Sequence, residues 1–108
     1  MCPCGGPYWV RYPLDVIAPH LTRQAVAGRS WTMWRYAEVL PLLDGESPIT
    51  LGEGGTPLLP ARRLAAKLNI AEIWIKDEGK NPTGTFKARG LSAAVTRAVR
   101  GGARSLVI

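Results

Sequence analysis

Residues 71–108 of the chain read AEIWIKDEGKNPTGTFKARGLSAAVTRAVRGGARSLVI. The β-branched and aromatic run Ala71–Lys76 predicts a strand, and the apolar run Ser105–Ile108 predicts the start of another. Between them the pattern predicts a helix over Thr85–Arg100, with Thr85 as its N-cap and a glycine pair after its end. This order of elements predicts an α/β fold with one βαβ unit of a parallel sheet.

Apolar spacing predicts a second helix at Ala61–Leu68, where apolar residues recur at i, i+3, i+4 and i+7. The residues expected to face inward on the longer helix are Leu91, Ala94, Val95 and Ala98. Ahead of both helices the sequence predicts, in chain order, a short strand at Tyr8–Tyr12, an irregular connector at Pro13–Ser30, a short helix near Trp31–Leu40 and a loop system at Asp44–Pro60.

A parallel sheet has to be covered on both faces, and this chain supplies too few elements to do so. We therefore interpret it as the incomplete N-terminal part of a larger α/β enzyme. The expected organisation is a knuckle at 1–12, a connector with a short helix at 13–50 and the start of a catalytic domain at 51–108.

Composition limits the classes of function. The 108 residues allow one domain, and the 46% hydrophobic content predicts a packed core. The net charge is +6, but the cations are dispersed and no aromatic residues interleave with them, so no nucleic-acid partner is expected. No apolar run approaches the roughly 18 to 20 residues of a bilayer-spanning helix. The first residues lack a basic region followed by an apolar one, so no secretory signal is expected. A cytoplasmic protein without a membrane partner is expected.

The richest local chemistry surrounds Lys87. It stands in the first turn of the predicted helix, after a polar loop at the carboxyl end of a predicted strand, where ligands of open α/β sheets collect. A helix N-terminus favours the neutral form of an amine, and Schiff-base formation requires that form. The alternative is an ordinary solvated lysine. A nucleotide site is not predicted, because neither a Walker pattern nor Gly-x-Gly-x-x-Gly is present.

Several ordered motifs resemble one enzyme group. Asn81–Gly90, NPTGTFKARG, resembles the lysine motif of the fold-type II pyridoxal-phosphate enzymes. Within that group, Leu51–Leu58 (LGEGGTPL) ahead of Lys76–Gly79 (KDEG) is similar to the threonine synthase family, as is Trp34–Tyr36 followed by Leu40–Pro41. The resemblance spans nearly the whole chain but covers only the N-terminal portion of a family whose members are several-fold longer.

The resemblance implies pyridoxal 5'-phosphate as the cofactor, with Lys87 as its covalent anchor and as the catalytic general base. It implies a carbon–oxygen lyase that converts O-phosphohomoserine, a small amino-acid substrate, and water to threonine and phosphate, the last step of threonine biosynthesis. Asn81 and Thr85 are expected to fix the loop or to touch cofactor or substrate. Glu53 and Thr56 line the substrate entrance or only build the turn. The full-length form is expected to be a homodimer.

The chain departs from the family pattern at two points. Ala88 stands where many members have an acidic residue, which indicates a subgroup with altered substrate preference. The later segments that surround the cofactor in the family are missing from these residues, so the 108-residue chain alone is predicted to be inactive. Asp77 and Glu78 are expected to cap and hydrogen-bond the loop rather than to act as catalytic acids.

Cys2 and Cys4 are the only cysteines, and with one residue between them they cannot staple a core. They resemble half of the zinc-ribbon knuckle that precedes some threonine synthases. A closed zinc site needs four ligands, so the pair is expected to be a remnant half-site without metal.

Two rival functions remain open. One is threonine dehydratase or another β-eliminating or β-replacing member of the same group. The other is a non-catalytic interaction domain that kept the α/β scaffold and lost the cofactor.

Overall fold

The computed structural model describes residues 2–7 and 9–107. The helices are α1 (Leu14–Ile17), α2 (Arg23–Ala27), α3 (Arg62–Leu68) and α4 (Lys87–Arg100). The strands are β1 (Leu58–Pro60) and β2 (Trp74–Lys76), and two 3₁₀ segments lie at Met33–Val39 and Glu78–Lys80. None of the described helices has the length and apolar character needed to cross a bilayer.

β1 and β2 pair in antiparallel orientation, with Leu59 opposite Ile75. The backbone N–H of Ala61 donates to the Ile73 carbonyl at 2.8 Å at one end of the ladder, and that of Asp77 donates to the Pro57 carbonyl at 3.0 Å at the other. Helix α3 reverses the chain between the strands. Its C-cap, Asn69, has a φ of +52°, a left-handed conformation that asparagine tolerates better than most residues.

The parallel βαβ unit predicted for residues 73–108 is not formed by the described residues. The strand predicted at Ala71–Lys76 is present but shorter, and its partner is β1, which the sequence had placed at the end of a loop. Residues 105–107 have no strand pairing, and Ile108 lies outside the described residues. A parallel pair needs helices on both faces of the sheet, which these residues do not supply, whereas β1 and β2 need only the short reversal through α3.

The two helices predicted after residue 60 form with small shifts at their ends, while the first third of the chain differs more. No strand forms over residues 9–12, and Tyr8 of that predicted strand is not described. The expected irregular connector, Pro13–Ser30, contains the short helices α1 and α2. The helix predicted near Trp31–Leu40 is a 3₁₀ segment, and it is kinked at Tyr36, whose φ and ψ are −110° and 37°.

The apolar core is small, contrary to the packed core that composition predicts. The buried hydrophobic residues are Met33, Trp34, Ala65 and Ala88. The buried polar and charged residues are more numerous: Arg35, Glu53, Thr56, Asn81, Ser92 and Thr96. Hydrogen bonds therefore carry much of the tertiary organisation, since buried polar groups have to be paired.

The buried stripe of α4 is not the one that its apolar residues predict. Ala88, Ser92 and Thr96 lie inward at i, i+4 and i+8, whereas Ala94 is exposed. The reason is the segment at Ile49, whose N–H donates to the Thr96 hydroxyl at 2.9 Å and whose carbonyl accepts from the Ser92 hydroxyl at 3.0 Å. The Trp34 indole also donates to the Ser92 oxygen at 3.0 Å, which fastens the 3₁₀ segment to α4.

Candidate functional site

Lys87 is the first residue of α4, and its side chain is exposed. Its backbone N–H donates to the Thr85 hydroxyl oxygen at 3.1 Å, so Thr85 performs part of the capping expected of it although Phe86 occupies the N-cap position. Within residues 2–7 and 9–107 the ammonium group has no ion-pair partner. A primary amine is therefore presented to solvent at the start of the longest helix.

Asn81 anchors the loop that leads to Lys87. It is buried, and its Oδ1 accepts from the backbone N–H of Gly54 at 3.0 Å. Its Nδ2 donates to the Glu78 carbonyl at 3.0 Å and to Glu78 Oε2 at 2.9 Å. The backbone then turns at Gly84, where φ is +72° and the N–H returns to the Asn81 carbonyl at 2.8 Å. Asn81 thus joins the loop to the glycine-rich segment 51–58.

Glu78 and Arg89 form an ion pair across the Lys87 loop. Arg89 Nε donates to Glu78 Oε2 at 2.7 Å and Arg89 Nη2 donates to Oε1 at 2.8 Å. The buried Thr56 hydroxyl donates to Glu78 Oε1 at 2.6 Å. The Arg89 guanidinium, with the Thr56 hydroxyl and the Asn81 amide, holds the pKa of Glu78 well below its usual range. The lowered pKa favours the ionised form of Glu78, which accepts these hydrogen bonds.

The side chains of Glu53 and Thr56 are both buried within the glycine-rich turn at 51–58. Glu53 is 3% exposed, and its Oε1 accepts from the Leu51 N–H at 3.0 Å while Oε2 accepts from the Thr50 hydroxyl. Burial alone raises the pKa of Glu53, but the hydrogen bonds from Thr50 and Leu51 outweigh it and the pKa is lowered. These contacts favour the turn interpretation over an entrance lined by the two side chains.

Two glycines bring the turn against the 3₁₀ segment. A Cβ on Gly54 would lie 2.3 Å from the Met33 nitrogen, and one on Gly55 would lie 2.2 Å from Trp31 Cδ1. Both glycines have positive φ, +104° and +60°. Because no other residue fits these positions without displacing backbone, the close approach requires glycine.

Sequence reasoning missed Arg89, which connects α4 to the 3₁₀ turn at Glu78 and to the glycine-rich turn at Thr56. Its side chain reaches Glu78 and, at 3.3 Å, the Thr56 hydroxyl. Asp77 behaves as expected and accepts from the Gly79 N–H at 3.2 Å. An arginine two positions after a lysine carries no local signal, because its partners are determined by the packing of α4 against the turn.

The Cys2 and Cys4 sulfurs lie 2.8 Å apart in an exposed turn. The hydrogen bond between the thiols lowers the pKa of Cys4. Among the described residues, no group of three or more His, Cys, Asp or Glu side chains is placed to hold a metal ion.

Comparison with known proteins assigns the chain to a family. Residues 49–108 match the family model described as pyridoxal-phosphate dependent enzyme. That segment is more than half of the chain and contains β1, β2, α3, α4 and the whole environment of Lys87. The protein therefore belongs to the pyridoxal-phosphate dependent enzyme family.

Similar curated proteins are threonine synthases. The one from Methanocaldococcus jannaschii is 41% identical over 97 residues, which are 90% of this chain and 24% of that protein. The one from Methanosarcina acetivorans is 47% identical over 68 residues, 63% of this chain and 16% of the relative. The one from Mycobacterium leprae is 47% identical over 72 residues, 67% of this chain and 20% of the relative. The chain thus spans a quarter or less of each, and no solved structure matches it.

Proposed function

We propose that the chain carries the lysine-bearing part of a pyridoxal-phosphate lyase of threonine synthase type, with Lys87 as the covalent anchor of the cofactor. The reaction is the conversion of O-phosphohomoserine and water to threonine and phosphate. The observation that supports it most is the exposed Lys87 amine, without an ion-pair partner in the described residues, inside the segment that the family model matches.

The residues present fit the cofactor. A primary amine condenses with an aldehyde only when it is accessible and free of an ion pair, and Lys87 meets both conditions within the described residues. When bound, pyridoxal phosphate supplies an electron sink for negative charge at the substrate carbon. Lys87 Nζ then serves as the base that takes and returns protons at the substrate.

Asn81 and Thr85 position Lys87 in this proposal. Thr85 accepts the Lys87 backbone N–H, which orients the first turn of α4. Asn81 fixes the other end of the loop against Gly54. The ion pair between Glu78 and Arg89 joins the two ends, so contacts within the chain restrain the loop that carries Lys87.

The described residues supply one wall of an active site. The proposed boundary of the catalytic part at residue 51 is supported by a family match that begins at residue 49. Because the threonine synthase relatives are more than three times as long as this chain, we propose that the 108-residue chain alone does not turn over substrate. We also propose that the longer form works in the cytoplasm as a homodimer.

Covalent trapping tests the anchor directly. The chain has four lysines, which are Lys67, Lys76, Lys80 and Lys87. The protein is incubated with pyridoxal phosphate, reduced with borohydride, digested and mapped by mass spectrometry. Preferential labelling of Lys87 over the other three, and its loss in Lys87→Arg but not in Lys80→Arg, is expected. Equal labelling of all four would show that Lys87 has no special role.

A chimaera tests the reaction. Residues 49–108 replace the matching segment of the Methanocaldococcus jannaschii threonine synthase, and phosphate release from O-phosphohomoserine is measured beside 2-oxobutanoate formation from threonine. Phosphate release that falls on the order of a thousandfold in Lys87→Arg and is unchanged in Lys80→Arg is expected. A soluble chimaera that forms only 2-oxobutanoate would assign the dehydratase reaction. A soluble chimaera that forms neither product would contradict the proposed reaction and favour a non-catalytic interaction domain.

A further inference from the structure

A small basic cavity lies beside the Lys87 loop. It has a volume of about 210 Å³ and lies between the 3₁₀ segment, the glycine-rich turn and β2. Its walls include the aromatic rings of Trp31 and Tyr36 and the cations Arg35, Lys76 and Arg89. Among the described residues, no aspartate or glutamate lines it. Lys87 does not line it either, so the cavity is separate from the proposed cofactor anchor.

Arg35 is a buried cation in the wall of this cavity, and its hydrogen-bonding capacity is only partly used. It is 8% exposed, and its Nε makes no hydrogen bond to any residue in 2–7 or 9–107. Its Nη2 donates to the Val26 carbonyl at 2.6 Å, and the guanidinium carbon lies 4.0 Å from the centre of the Trp31 ring. Arg35 belongs to none of the ion pairs in the described part of the chain. A buried charged donor without an acceptor is unfavourable, so the position calls for an acceptor that this part of the chain does not provide.

The other two cations differ in how far they are neutralised. Glu78 already balances Arg89. The Lys76 ammonium donates to the Thr56 carbonyl, a neutral acceptor, and an ammonium group has three donors in all. Neither Arg35 nor Lys76 forms an ion pair with a carboxylate of the described residues, so the cavity carries two positive charges without a paired carboxylate.

Contacts within the chain hold the side chains of the cavity wall in place without a ligand. The Trp31 indole donates to the Gly55 carbonyl at 3.1 Å, and Gly55 lies so close to the ring that a Cβ there would overlap it. The Arg35 guanidinium stacks on the same ring, which limits its rotation. A guanidinium held in one plane matches the paired oxygens of a carboxylate or a phosphate.

We propose that this cavity binds a small oxyanion, of the phosphate or carboxylate class, through Arg35 and Lys76. The inference rests on the unpaired Arg35 nitrogen and the uncompensated charge, and it holds whether or not Lys87 anchors a cofactor. The oxyanion comes either as a free ion or as the acidic group of a small organic molecule, and the two sources are separated by the choice of titrant.

The test is an NMR titration of the 108-residue protein labelled with ¹⁵N-arginine. Inorganic phosphate, acetate and O-phosphoserine are added at constant ionic strength, with sodium chloride as the control, and the Nε–H signal of Arg35 is followed. A saturable shift with phosphate or acetate supports a free-ion site, and a tighter one with O-phosphoserine supports an organic ester. No shift, or the same shift with chloride, overturns the proposal.

Two cavity variants and one control variant show where the anion binds. Lys76→Met removes an exposed cation of the cavity and is expected to raise the phosphate Kd roughly tenfold. Lys67→Met removes the same charge from α3, away from the cavity, and is expected to leave the Kd within about twofold. Arg35→Lys keeps the charge but loses the planar donor set and is a second variant should Lys76→Met lose its dispersed amide spectrum. An unchanged Kd in a folded cavity variant also overturns the proposal.

Discussion

Arg89 holds both carboxylate oxygens of Glu78, through Nε to Oε2 at 2.7 Å and Nη2 to Oε1 at 2.8 Å. The pair joins the first turns of α4 to the 3₁₀ turn Glu78–Lys80, and Lys87 lies on the chain between them. The loop that presents the lysine is therefore closed at its two ends by one bidentate contact. This contact makes the orientation of Lys87 dependent on a residue that has no chemistry of its own in the proposed reaction.

Arg89→Lys is expected to loosen this loop. Lysine keeps the positive charge but cannot contact both oxygens in one plane. The melting temperature should fall by a few degrees, and hydrogen exchange at the backbone amides of residues 81–87 should become faster. Arg63→Lys, at an exposed arginine of α3 with no ion pair in the described residues, is the control. Equal losses in the two variants would show that the pair does not brace the loop.

Gly55→Ala is expected to lower the free energy of unfolding by more than the strain of a positive φ alone. The control is Gly45→Ala, because Gly45 has a φ of +76° and nothing within 4 Å of an added Cβ. The backbone strain should cost about 1–2 kcal/mol in each. Gly55→Ala should cost about 1–3 kcal/mol more, because the Cβ has to displace Trp31. Denaturant unfolding measures both, and equal free energies of unfolding would contradict the close approach.

Thr96→Val should destabilise the packing of α4 on the segment at Ile49. The hydroxyl of Thr96 is fully buried and accepts the Ile49 N–H at 2.9 Å, so an isosteric valine leaves that donor without a partner. The expected loss is about 1–3 kcal/mol of unfolding free energy. Thr83→Val, at an exposed threonine, should change it by less than about 0.5 kcal/mol. A Thr96→Val protein as stable as the control variant would refute this role for the hydroxyl.

The acid stability of the protein should depend on Glu38. Hydrogen bonds from Arg29, at 2.8 Å and 2.5 Å, lower the pKa of Glu38 from 4.5 to about 2. Since the folded pKa lies below the unfolded one, the stabilisation is complete above about pH 4.5 and is lost as the pH falls through about 2. Glu38→Gln should flatten the fall in unfolding free energy between these two values.

The control for this measurement is Asp44→Asn, at an exposed carboxylate without an ion pair in the described residues. An acid unfolding profile that is the same in Glu38→Gln and in the unsubstituted protein would rule out the contribution of the Arg29 pair. The result also bears on the basic cavity, because Arg29 Nη1 donates to the Arg35 carbonyl at 2.6 Å and so supports the segment that carries Arg35.

Local patterns predicted the elements around the site well. The spacing of apolar residues located α3, the β-branched run located β2, and the position of Thr85 located the start of α4 to within two residues. They were less informative for α4's buried face, because Ser92 and Thr96 are polar and are buried only through their bonds to Ile49. A periodicity of apolar residues cannot reveal a buried polar stripe.

The amino-acid sequence alone determined where α3, α4 and β2 arise, that a lysine stands at the beginning of the longest helix, and that its flanking motifs belong to a pyridoxal-phosphate family. Those properties depend on neighbours a few residues apart. Only the tertiary structure decided that β2 pairs antiparallel with β1, that Arg89 closes the lysine loop on Glu78, and that Arg35 is buried without an acceptor among the described residues. Each of these depends on which distant segments pack together, and hydrogen-bond partners 43 to 58 residues apart, such as Trp34 and Ser92, leave no trace in local spacing.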